Sequence, residues 1–167
     1  MGAFADLIRP FIASVAAGGV EIYNEFSLQH ELGIFLRGAV SGKKVQFERN
    51  VNSLFPVRSF IKREIDIVVS GREDGLLDWA IELKYPRNGQ YPEQMFSFCR
   101  DVAFVEELKA AGFAHACLLI FAEDYPFFRG PTDGIYGYFR GGRPLCGRVE
   151  KPTGAKEPCS GRIMMPK

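Results

Sequence analysis

Trp79-Ala80-Ile81-Glu82-Leu83-Lys84 is the run that decides how this chain is read. Its period-two alternation is that of a β-strand, with Trp79, Ile81 and Leu83 on one face and Glu82 and Lys84 on the other. A glutamate and a lysine near the end of a largely apolar strand require a partner or a chemical task, because unpaired charge is costly to bury.

The nearest partner lies upstream. Lys62–Ser70 alternates as a second strand, with Ile65, Ile67 and Val69 opposed to Glu64, Asp66 and Val68. Ser70 to Leu77 reads as the loop of a hairpin joining it to the strand Asp78–Tyr85. Asp66 and Glu82 then share a face only in a register where the numbers of facing residues add to an even total. A tight two-residue turn at Asp74-Gly75 makes that total odd, whereas an odd-length loop or a single bulge makes it even. The even register is expected, because the odd one sets a carboxylate among apolar side chains.

Outward from this hairpin, helical periodicity covers 6–17 and then a second segment from Val20 or Asn24 to Arg37. Leu28, Leu32, Phe35 and Leu36 form the second stripe, with Glu31 at its border. Val45–Val51 is a further strand candidate. After the breakers Pro86, Gly89 and Pro92, a long helix runs from about Glu93 to Ala111, and Gly112 stops it. His115–Ala122 is a continuous apolar run, expected as a strand buried on both faces. Ile135–Arg140 and Pro144–Val149, around Gly141-Gly142, read as an appended β-hairpin followed by a basic tail. The whole describes one domain over residues 1–167, an α/β mixed sheet flanked by helices, with its core at about 20–122.

Composition narrows the class. A chain of 167 residues, 47% of them hydrophobic, is long enough to build a real core. Four singly spaced cysteines and two histidines, His30 and His115, match neither a zinc site nor a disulfide framework. Free thiols, no signal pattern and no apolar run of membrane-span length give a soluble, cytoplasmic reading. The net charge is +1, but residues 125–167 carry eight basic residues against three acidic ones. A basic end on an acidic body suits a site for metal in one place and for phosphate in another, and it equally suits plain solubility.

Two facing carboxylates repel, and each ionises with difficulty unless a cation is near. Lys84 is one such cation. A divalent ion held by hard oxygen ligands, Mg²⁺ or Mn²⁺, is another. Glu31, on the early helix, is expected to add a third carboxylate. A salt-bridged polar face on the sheet accounts for the spacing equally well.

Glu31 on a helix, Asp66 in Arg63-Glu64-Ile65-Asp66-Ile67-Val68, and then Ile81-Glu82-Leu83-Lys84 on the following strand together resemble the PD-(D/E)XK nuclease superfamily, the restriction-endonuclease-like fold. The resemblance runs from about residue 20 to 122 and follows the same helix–strand–strand–strand–helix–strand order. It implies a Mg²⁺-dependent nuclease, most nearly a DNA endonuclease of restriction-like or repair type. In it Asp66 and Glu82 bind the metal, the backbone carbonyl of Leu83 adds a ligand, Lys84 is catalytic and Glu31 completes the site. Some exonuclease-like members carry Q-x-x-x-Y on the next helix. Here Gln94 matches and Phe98 replaces the tyrosine, so Gln94 alone carries over, as a supporting residue. Proline does not precede Asp66; Ile65 does.

The nucleic acid, DNA before RNA, is expected to meet Lys62 and Arg63 beside the Asp66 strand and Arg140, Arg143, Arg148 and Lys151 in the tail. No membrane partner is implied, and a homodimer is one way for so small a chain to cut both strands of a duplex. Two other readings stay open: a non-catalytic relative that keeps the fold to bind nucleic acid or protein, and a structural domain with a surface ion-pair network.

Overall fold

Local chemistry sets the ends of the elements that carry the charged residues. The computed structural model describes residues 2–72, 75–87 and 89–152. Asp74 of the expected turn and residues 153–167 of the basic tail lie outside them. Helix α1 spans Gly2–Ala16 and α2 spans Glu25–Ala39. Asn24 caps α2: its side chain accepts from the Ser27 amide at 2.7 Å, while the Asn24 amide donates to Ser27 Oγ at 3.0 Å. This reciprocal cap starts the helix at Glu25 and fixes which residues of its first turns face the sheet.

The strands are β1 (Lys43–Asn50), β2 (Glu64–Gly71), β3 (Leu77–Lys84) and β4 (His115–Ile120), with α3 (Tyr91–Ala111) between β3 and β4. They form one sheet in the order β1-β2-β3-β4, antiparallel for the first two pairs and parallel for β3 with β4. The α/β class and the mixed sheet flanked by helices are as expected. So is the hairpin register, since Ile67 faces Ile81, Val68 faces Ala80 and Val69 faces Trp79. One irregularity between Val69 and Ser70 brings Leu77 opposite Ser70 and leaves Asp78 over. An ion pair with Lys43 of β1, at 3.0 Å, ties down that left-over residue.

Each face of the sheet has its own core. Val45, Ile67, Val69, Ile81 and Leu83 pack with Ile8 and Phe11 of α1 and with Leu28, Leu32 and Leu36 of α2. Val68 and Ala80 pack with Phe104 and Leu108 of α3. Ile65 joins the α3 side while Ile67 joins the other, so strict alternation stops at Asp66. The carboxylate of Asp66 therefore sits where the strand crosses between layers.

At the C-terminal end one expectation holds in part and one is overturned. The run His115–Ile120 is an edge strand, paired to β3 alone, and every residue from Ala116 to Ile120 is half-buried. An apolar run reports contact with both helical layers, which Cys117 and Leu119 on one side and Leu118 and Ile120 on the other provide, and says nothing of a second strand neighbour. Residues 135–149 do not form a hairpin. Tyr136–Phe139 is a short helix, α4, and the remainder is irregular. The Arg140 guanidinium lies 3.8 Å from the Tyr136 ring centre and donates to the carbonyls of Pro131 and Pro126, a spacing of four residues that a helical turn satisfies and a strand does not. Phe127, Ile135, Leu145 and Val149 cover Met95, Phe96 and Phe98 of α3, so this segment extends the core. Among the described residues, no helix is long and apolar enough to cross a membrane.

Gly33 shows how closely α2 meets the sheet. A Cβ built there lies 2.2 Å from Cζ of Phe47 on β1. Glycine inside a helix normally costs roughly 1 kcal/mol relative to alanine, but here the ring needs the space. Gly33→Val is expected to lower unfolding stability by about 1–3 kcal/mol, and to cost much less when introduced into Phe47→Ala, as equilibrium denaturation of the two single variants and the double variant would read.

Candidate functional site

The end of β3 and the start of β2 come together around two carboxylates. The Leu83 amide donates to Asp66 Oδ2 at 2.7 Å, and the Asp66 amide approaches Glu82 Oε1 at 3.4 Å. Each strand thus supplies a backbone donor to the other strand's acid. Glu82 is fully buried. Its counter-charge is the ammonium of Lys62, which hydrogen-bonds Glu82 Oε2 and also donates to Asp101 Oδ1 at 2.9 Å.

Lys84, the last residue of β3, donates to the Leu83 carbonyl at 2.9 Å. It lies 3.6 Å from Glu25 Oε1 and 3.7 Å from Asp101 Oδ2. Glu25 Oε2 also accepts from the Tyr85 amide at 3.2 Å, which pins the first turn of α2 to the end of β3. Gln29, one turn further, donates to the Asp66 carbonyl at 2.9 Å and to Glu48, whose backbone is held at a left-handed φ of 47°.

The predicted set is therefore rearranged. Asp66, Glu82, Leu83 and Lys84 meet as the even register requires. Glu31 does not join them: it lines a shallow cleft with Glu21, Tyr23 and His30, and Glu25 is the helix carboxylate near Lys84. Gln29 faces the sheet, and Glu31 follows two residues later, about 200° round the helix. Gln94 spends its amide on the carbonyls of Arg87 at 2.6 Å and Gly89 at 2.8 Å, which fastens the loop before α3 and leaves the carboxylates untouched.

The expected phosphate-contact residues differ in their surroundings. Lys62 belongs to the carboxylate cluster. Arg140 is committed to Pro131, Pro126 and Tyr136, and Arg143 stacks 3.8 Å from the centre of the Tyr138 ring while donating to Gly134. Arg63, Arg143 and Arg148 are exposed, and Lys151 is half-buried.

Asp101 is the residue that strand patterns could not supply. It is 4% exposed, and its Oδ2 is buried without a hydrogen-bond partner. It occupies the buried face of α3 with Phe98, Phe104, Val105 and Leu108, so a lone acid inside an apolar helical stripe was its signal. Glu25 had a signal too, as the first residue after an Asn-x-x-Ser cap.

Electrostatics follow from this crowding. Burial, then the neighbouring Asp66 charge, push the Glu82 carboxyl up to about 7 against the opposing pull of Lys62. Burial also raises Asp66, partly countered by the Leu83 amide and by Lys62 and Lys84. Burial lowers Lys62, but the Glu82 and Asp101 carboxylates outweigh it and the net shift is upward.

Four carboxylates, Glu25, Asp66, Glu82 and Asp101, meet two ammonium groups. The donors are hard oxygens, they exceed the local positive charge, and one buried oxygen, Asp101 Oδ2, lacks a hydrogen-bond partner. That chemistry fits a divalent cation of the Mg²⁺ type. Among the described residues, however, no three acidic, histidine or cysteine side chains are grouped so as to hold a metal ion by themselves. The expected three-carboxylate set with Glu31 is not formed. No family model, curated protein or solved structure matches this chain.

Because the folded-state value of Glu82 lies above its unfolded one, its contribution to stability is complete below about pH 4.5 and is lost as pH rises through about 7. Acidification across that window should therefore stabilise the wild-type protein by a few kcal/mol relative to Glu82→Gln. Urea midpoints of both proteins at several pH values would check this, and parallel profiles would refute it.

Proposed function

We propose that this chain is a Mg²⁺-dependent nuclease of the PD-(D/E)XK kind, hydrolysing phosphodiester bonds in DNA as an endonuclease. The observation that carries the reading is the convergence of Asp66, Glu82 and Lys84 at the end of one hairpin, with the register that sequence logic required. The structural ion-pair reading leaves unexplained why two carboxylates are brought together with one of them buried, where burial first and the Asp66 charge second raise Glu82 to about 7.

Asp66 and Glu82, with the Leu83 carbonyl, would hold Mg²⁺, and water or substrate oxygens would fill the remaining positions. When bound, the ion polarises the phosphoryl group and lowers the pKa of water. The chain's own groups do the rest. Lys84, held between the Leu83 carbonyl and the carboxylates of Glu25 and Asp101, orients the attacking water and offsets charge developing on the phosphate. Glu25 and Asp101 are positioning residues, since each is within 4 Å of the Lys84 ammonium and neither faces the substrate in this scheme. Arg63, Arg143 and Arg148 are exposed cations for the phosphate backbone.

A second reading has one specific observation in its favour. Lys62 and Lys84 already give the cluster internal counter-charges, so a non-catalytic module could keep the same constellation to hold α2, β3 and α3 together. Its partner would then be bound and not cut.

Single- and double-stranded DNA and RNA, incubated with Mg²⁺, Mn²⁺ or EDTA, separate the two. Lys84→Ala and Asp66→Asn are each expected to lower metal-dependent cleavage on the order of 10²-fold or more. Binding without cleavage by wild type would support the module.

A further inference from the structure

Lys62 was expected among the residues that greet the nucleic acid, and it is found inside the acid cluster. It precedes β2, where no strand alternation dictates its direction. Even so, its ammonium contacts Glu82 Oε2 and Asp101 Oδ1 and lies 5.4 Å from the centre of the Phe104 ring. Two buried carboxylates from different layers and the face of an aromatic ring make a built cation site. Glu82, its principal partner, is also one of the two acids proposed to hold the metal.

We propose that the Lys62 ammonium and a divalent cation compete for the Glu82 carboxylate, so that Lys62 sets the metal affinity of the site. This inference rests on the metal-binding reading above. One carboxylate oxygen, Oε2, is given to Lys62, while Oε1 faces the Asp66 amide. A divalent ion drawing on Glu82 must share it with a unit positive charge already in contact, and like charges at such separation repel by several times the thermal energy even with partial screening. Asp101 keeps hold of Lys62 through its own contact at 2.9 Å, so the displaced ammonium stays beside the cluster instead of leaving for solvent. There it is available to a phosphate oxygen of the substrate.

Two measurements on the full chain test this. Calorimetric titration with Mn²⁺, corrected for the protons released on binding, should show Lys62→Met binding the ion about tenfold more tightly than wild type, because a competing charge has been removed. Equal or weaker binding overturns the proposal. Since Lys62→Met leaves Glu82 buried without its counter-charge, a wild-type measurement stands beside it. Acylation of the Lys62 amine, followed by mass spectrometry, should accelerate severalfold when Mn²⁺ is added, as the ammonium loses its carboxylate partner. An unchanged rate also overturns the proposal. The two failures are distinguishable. Absence of Mn²⁺ binding by both proteins removes the metal site and this inference together, whereas binding that Lys62→Met does not tighten removes the inference alone. Tightened binding without cleavage leaves the inference standing and removes the nuclease reading.

Discussion

A single left-over residue governs this molecule. If Asp78 were paired within the β2–β3 ladder, every residue of β3 from Trp79 onward would shift by one, and the faces of the strand would exchange. Glu82 and Lys84 would turn towards the α1 and α2 core, and Ile81 and Leu83 towards α3. The irregularity at Val69/Ser70, secured by the Lys43–Asp78 ion pair, prevents this. The energetic argument for the register is severe, because the wrong one sets two charges among Leu28, Leu32 and Ile67.

Given that register, the remaining elements act as sources of counter-charge and support. The capped start of α2 brings Glu25 to Lys84 and Gln29 to the Asp66 carbonyl. Helix α3 contributes Asp101, and the segment before β2 contributes Lys62. None of these groups is satisfied alone. Ion pairs built on acids as buried as Glu82 and Asp101 are weak stabilisers against an apolar alternative, since desolvation offsets most of the attraction. Four acids and two lysines are thus a poor way to hold a fold together and a reasonable way to prepare a charged binding site.

Much of this was legible in the sequence, and the boundary has a physical origin. Alternation identified β2 and β3, and parity joined Asp66 to Glu82, because a strand's period ties side-chain direction to residue number. Helix direction was harder. Glu31 was chosen for lying beside an apolar stripe, yet the face presented to the sheet is fixed by the Asn24 cap and includes Glu25 and Gln29. Asp101 was hidden because it interrupts an otherwise apolar face, which reads as noise until Lys62 is seen opposite it. Lys62 itself sits in irregular backbone, where no period constrains the side chain. The segment 135–149 misled for a related reason: two short runs around Gly141-Gly142 suggested a hairpin, while Arg140 and Arg143 close back on Tyr136 and Tyr138.

The parallel pairing of β3 with β4 has a bearing on how the chain reaches this state. β2 and β3 are joined by a short loop and close cheaply, whereas β4 docks only after the whole of α3 has been spanned. The pairing that faces Asp66 with Glu82 is therefore local, 16 residues apart in the chain, whereas Asp101 reaches Lys62 across 39 residues. Closing the longer loop carries the larger entropic cost, which the apolar surface that α3 buries against the sheet offsets.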